Sequence, residues 1–164
     1  MDEPTNPCES LEVVVSSWST FATEAPSLNV VARERLQDLR VAYLATTARD
    51  GAPRVHPVSP ILTDDGLYVF MEPTSPKGHD LRRDGRFALH APVDAPLPTV
   101  PQVYFSGRAA VVEDERTRAA VVRAAGYPVL DRFVLFELAV ENVMCTRPGT
   151  EDAYAVTREF WPPR

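Results

Sequence analysis

Residues 41–90 read VAYLATTARDGAPRVHPVSPILTDDGLYVFMEPTSPKGHDLRRDGRFALH, and this run decides the fold class. Val41–Thr47 is rich in strand formers and is followed by Asp50-Gly51, a pair that favours a tight hairpin. Arg54–Leu62 predicts a second strand, Asp64-Asp65-Gly66 a second turn and Leu67–Met71 a third strand, together a meander. Pro57 and Pro60 cannot donate ladder hydrogen bonds, so the second strand is expected to be open or irregular on one side. An open strand edge offers backbone hydrogen bonds to a planar ligand.

The reading extends outward in both directions. Pro73–Pro76 predicts a turn and residues 77–84 a short helix, with Thr74 or Ser75 as its cap and Pro76 at its first position. Arg86–His90 is a fourth strand, and the prolines at 92, 96, 98 and 101 mark an extended loop. Gln102–Val112 is a long fifth strand with Gly107 at a bulge or a close-approach point. Residues 113–125 predict a helix capped by Asp114, Arg132–Thr146 a sixth strand, and 153–164 a short tail. Upstream, Ser27 predicts a helix cap, with Leu28, Val31, Leu36 and Leu39 on one helical face. Residues 1–26, with Pro4, Pro7 and Pro26, are expected to form a loose N-terminal arm, leaving 27–164 as one domain. The expected fold is mostly β: a six-stranded antiparallel barrel with short helices.

Composition narrows the function. The chain has 164 residues and a net charge of −6, which argues against nucleic acid as the main partner but permits a local anion site. Cys8 and Cys145 lie far apart, so two reduced thiols are expected rather than a disulfide or metal site. Scattered His56, His79 and His90 do not have the spacing of metal ligands, and no metal is expected. The first basic residue is Arg33, so the basic start of a signal peptide is missing; the expectation is a cytoplasmic protein without membrane contact. Trp18 and Trp161 are expected to pack a hydrophobic patch, with stacking near a cofactor as the alternative for Trp161.

Pro73–Arg83 concentrates the chemistry. Thr74 and Ser75 put hydroxyls, and Lys77 the chain's one lysine, at the first turn of a helix, with Arg82 and Arg83 nearby. Unpaired N–H groups and the helix dipole favour an anion there, and an ammonium suits phosphate.

The order of these motifs from Val41 to Ala91, continued by Gln102-Val103-Tyr104-Phe105-Ser106-Gly107, resembles the pyridoxamine 5′-phosphate oxidase-like family. The similarity covers a little under half of the chain. It implies a six-stranded split barrel of the FMN-binding type, and a homodimer with the cofactor at the subunit interface. It also implies cofactor contacts: Ser75 and Lys77 on the phosphate; His56, Pro57, Val58 and Ser59 against the ring, with Arg54 close by; Phe70 and Met71 from the third strand; and Gln102 from the Gln-Val strand. Two positions depart from the authentic oxidase. His56 stands where that enzyme has a phosphate-binding arginine, and Pro76 replaces another basic residue, with Arg54, His79 and Arg82 as candidates to compensate. Glu159-Phe160-Trp161 resembles the oxidase's terminal segment, but Arg164 precedes the stretch that binds pyridoxal phosphate there. Vitamin B6 phosphate is therefore not the expected substrate.

The resemblance implies an FMN-dependent oxidoreductase acting on a small molecule, with no catalytic residue assigned because the flavin carries the chemistry. A reductase of the same fold using the deazaflavin F420 is one alternative; a non-catalytic flavin- or haem-binding protein, or a barrel that has lost its cofactor, is another.

Overall fold

The second strand does not survive as one piece. In the computed structural model, which describes residues 17–93, 99–149 and 155–164, it divides at Ser59-Pro60 into β2 (Pro53–Val58) and β3 (Ile61–Leu62). The described elements are α1 (Trp18–Glu24), α2 (Pro26–Leu39), β1 (Ala42–Thr47), β2, β3, β4 (Leu67–Met71), α3 (Pro76–Arg83), β5 (Arg86–His90), β6 (Gln102–Val111), α4 (Glu115–Ala124), β7 (Val134–Pro148) and β8 (Val156–Trp161).

All the strand pairs are antiparallel, in the order β2-β1-β5-β6-β7-β4-β3. The two ends of this sheet, β2 and β3, are neighbours in sequence. Only Ser59 and Pro60 separate them, so Val58 and Ile61 lie within about 11 Å. The sheet must therefore curl until its ends almost meet. β2 pairs with β1 alone and β3 with β4 alone, which leaves the barrel split between them. This is the expected mostly antiparallel split barrel, with two strands more than the six anticipated. One arises from the break at Pro60. The other is β8, from the segment expected to be a tail, which pairs with the second half of β7 while β4 takes the first half.

Local chemistry accounts for the helix ends. Pro26, with its fixed φ, opens α2 after Ala25, so Ser27 lies inside the helix rather than capping it. Ser75 caps α3, accepting from the Gly78 N–H at 3.2 Å, and Asp114 caps α4, accepting from Thr117 at 2.7 Å. The Thr117 bond also holds the Asp114 carboxyl below the usual carboxylate range.

The core fills the curl. Leu44, Leu67, Val69, Leu89, Val103, Phe105, Leu138 and Val140 are fully buried. Of the segment read as an arm, residues 1–16 lie outside the described residues, but α1 joins the core. Trp18 and Phe21 meet edge to face at 5.3 Å, Trp18 lies 5.9 Å from Phe105, and Phe21 lies 5.2 Å from Trp161. Trp161 donates to Glu24 at 2.9 Å, so both tryptophans pack the core against α1. Cys145 is buried, which pushes its thiol up, and Cys8 lies outside the described residues. Among the described residues no helix is long and apolar enough to cross a membrane.

Gly107 marks a register shift between β6 and β7, where a Cβ would collide with the Ala139 carbonyl oxygen. Replacing Gly107 with Ala is expected to cost about 1–3 kcal/mol or more in urea unfolding. Gly51→Ala, at φ +86 but in open space, should cost only about 1 kcal/mol. Equal stability of Gly107→Ala and wild type would contradict the close approach.

Candidate functional site

Helix α3 brings charge to the inner side of β1 and β2. Residues three apart on a helix share a face, and Lys77, Asp80 and Arg83 form such a stripe. Asp80 is 3% exposed, so its charge must be paired. Thr46 donates to its Oδ2 at 2.9 Å, Arg83 Nη1 to its Oδ1 at 3.2 Å, and Arg54 Nε lies 3.0 Å from Oδ2. Arg83 also donates to the Thr47 carbonyl. One buried carboxylate thus ties α3 to β1 and β2 and gathers two guanidinium groups. Lys77, half-buried, makes no ion pair among the described residues. An acidic chain therefore has a local cationic face.

The terminus of α3 is tightly built. The Ser75 hydroxyl accepts from Gly78, which leaves its own proton free to donate. A Cβ on Gly78 would come within 2.9 Å of Ser75 Oγ, so glycine lets the cap close. Pro76 has no N–H to leave unsatisfied.

Along β2 the side chains alternate. Arg54, His56 and Val58 point inward, while Val55 and Pro57 are exposed. His56 Nε2 is buried and has no hydrogen-bond partner. At the far end of the strand a cleft of about 260 Å³ is lined by Val41, Pro57, Val58, Ser59, Phe70, Tyr127 and Phe133. Arg118 lies 5.1 Å over the Phe70 ring and donates to the Phe133 carbonyl at 2.8 Å, fixing the wall. The Tyr127 hydroxyl makes a long 3.4 Å contact with the Ser59 carbonyl, and burial pushes its phenol up, so it stays protonated as a donor. A second cavity of about 440 Å³ shares Ser59 and Tyr127 with the cleft and adds Leu36, Arg40 and Ile61.

The anticipated site residues fall into three groups. Pro57, Val58, Ser59 and Phe70 line the cleft; Arg54, His56, Ser75 and Lys77 belong to the strand and helix terminus beside it. Met71 does not line the cleft with its side chain, because strand alternation turns it into the core at 2% exposure. Gln102 opens β6, three strands from β2, or about 14 Å at normal strand spacing. It lies on the sheet's outer side with Tyr104 and Ser106, so one subunit does not bring it to the cleft.

Of the side chains considered as compensating cations, His79 is exposed and Arg82 donates to the Pro73 carbonyl at 3.4 Å; Arg54 alone joins the cluster. Asp80, Thr46, Arg83, Tyr127 and Phe133 were not anticipated. The Lys-x-x-Asp-x-x-Arg spacing of α3 was a readable signal for the first cluster. Nothing local marks Tyr127 or Phe133.

A family model described as pyridoxamine 5′-phosphate oxidase matches residues 29–146. No curated protein sequence matches the chain. Solved structures share the fold. A haem-binding protein from Mycobacterium smegmatis is 20% identical at a TM-score of 0.58, covering 76% of this chain and 55% of its own. The chain thus spans about half the length of that relative. The haem storage protein HutZ from Vibrio cholerae is 19% identical at a TM-score of 0.56, covering 71% and 89%. A NimC/NimA family protein from Clostridium acetobutylicum is 18% identical at a TM-score of 0.58, covering 79% and 89%. With the split barrel and most of the chain inside the matched model, the protein belongs to the pyridoxamine 5′-phosphate oxidase family.

Proposed function

We propose that the protein is an FMN-dependent oxidoreductase that works as a homodimer on a small-molecule substrate. The observation that carries this reading is one strand with two complementary ends. The Arg54 end of β2 meets the cationic stripe of α3, and the Val58 end meets the apolar cleft. The two are about 13 Å apart along the strand, a span that suits a phosphate at one end of a ribityl chain and a planar ring at the other.

The residues fit the group. Ser75 has a free hydroxyl proton, Lys77 an unpaired ammonium and Arg54 terminal nitrogens without partners among the described residues. His56 Nε2 is a buried polar atom that a ligand would satisfy. Ser75, Lys77 and Arg54 would hold the phosphate; Val58, Ser59 and Phe70 would seat the ring. Bound FMN would supply hydride transfer at its N5. The protein's part is to orient the ring and to keep water from the apolar cleft, with the Tyr127 hydroxyl on its wall.

The dimer reading rests on the sheet's outer side. Pro57, Tyr43, His90, Tyr104, Met144 and Phe160 stand in register across six strands, all partly or fully exposed. Tyr43 is 47% exposed and Val55 beside it 61%. A second copy would cover this row with a self-complementary patch and could deliver Gln102 to the cleft of its partner.

A second reading is a non-catalytic haem binder, favoured by the unpartnered His56 nitrogen and by the names of two structural relatives. An F420-dependent reductase would reuse the same cationic face and is separated by titrating F420 against FMN.

Lys77→Ala is expected to weaken FMN affinity about tenfold or more, measured by quenching of flavin fluorescence. Unchanged affinity would remove Lys77 from the phosphate site. Sedimentation of the wild type should give a dimer, and Val55→Glu a monomer; a monomeric wild type would contradict the interfacial arrangement.

A further inference from the structure

We propose that Asp80 is a positioning residue for phosphate recognition. Buried between α3, β1 and β2, it holds Arg54 so that the terminal guanidinium nitrogens serve an anion. It thereby sets a preference for a phosphorylated flavin over the same ring without phosphate. The inference rests on the flavin reading above.

Asp80 is an expensive residue for its place. Its side chain is 4% exposed, against 35% for Arg54 and 38% for Arg83. Its strand partners Thr46 and Arg54 face each other across β1 and β2. Buried ion pairs seldom stabilise more than apolar residues of similar volume would, so stability alone is a weak reason for a carboxylate here.

The pairing is uneven in a way that points outward. Arg83 has a partner at each terminal nitrogen: one donates to Asp80 and the other to the Thr47 carbonyl. Arg54 approaches Asp80 through Nε, 3.0 Å from Oδ2, without the alignment of a hydrogen bond. Its terminal nitrogens have no partner among the described residues. Arginine presents such a pair as a planar fork that matches phosphate oxygens. Arg83 therefore helps anchor Asp80, Asp80 anchors Arg54, and Arg54 is left to bind. This arrangement supplies the cation that His56 and Pro76 do not provide.

Charge and positioning predict opposite signs for one substitution. Asp80→Asn removes a negative charge, and simple attraction would then tighten FMN binding. Loss of positioning would weaken it. The full-length protein is titrated with FMN and with riboflavin, which lacks the phosphate, by fluorescence quenching. Wild type is expected to prefer FMN. In Asp80→Asn the preference should fall about tenfold or more, as in Arg54→Gln, and the double variant should fall no further than Arg54→Gln. Arg83→Gln should change it no more than about threefold, since both terminal nitrogens of Arg83 already face protein oxygens. Riboflavin affinity should stay near wild type throughout.

An unchanged or increased FMN preference in Asp80→Asn overturns the proposal. Should that variant fail to fold, equal effects of Arg54→Gln and Arg83→Gln overturn it instead. A wild type that binds both flavins equally leaves the flavin reading standing and removes this inference. A wild type that binds neither removes the flavin reading itself.

Discussion

Both ends of the sheet are made by one short stretch of chain, and the rest of the molecule follows from that. Val58 ends β2 and Ile61 begins β3, with only Ser59 and Pro60 between them. The ends are tethered within about 11 Å, yet they are not hydrogen-bonded to each other. Proline without an N–H prevents the ladder from continuing across the gap. The barrel is closed by the backbone and open in its hydrogen bonding. That leaves an irregular seam, and the cleft between Ser59, Phe70 and Tyr127 sits on it. The aromatic cluster of Trp18, Phe21, Phe105 and Trp161 packs α1 against β6 and β8.

Electrostatics work against the overall composition. A chain of net charge −6 has no general attraction for a phosphate. A buried carboxylate changes that locally, because its desolvation requires cations to gather around it. Asp80 draws in Arg54 and Arg83, and Lys77 stands one helical turn away. The same short helix thus seals part of the barrel through Leu81 and lends its polar stripe to the site.

Much of this was legible in the chain. The bounds of Leu67–Met71 and Arg86–His90 followed from turn residues flanking apolar runs, and the caps Ser75 and Asp114 from their placement before helical sequence. Gly107 was readable as a bulge or close approach because glycine inside a strand marks such places. What escaped depends on distant partners. Val156–Trp161 carries a strand only because β7 is long enough to pair with β4 and β8 in succession. Trp18 and Phe21 become core residues only once β6 and β8 supply aromatic neighbours. The family resemblance implied both Phe70 and Met71 for the site, but alternation turns the two side chains to opposite sides of one strand. Asp80 was passed over because an acid on a short helix reads as solvated until Thr46 and Arg54 are seen to surround it. Gln102 remains three strands away within one subunit, a separation that sequence order does not reveal.

The central claim is that this barrel carries a flavin, and the absorption spectrum of the purified protein tests it most directly. After incubation with FMN and desalting, the account predicts that flavin bands stay with the protein. A sample that loses all flavin on desalting, or that instead takes up haem with a strong Soret band, would contradict it.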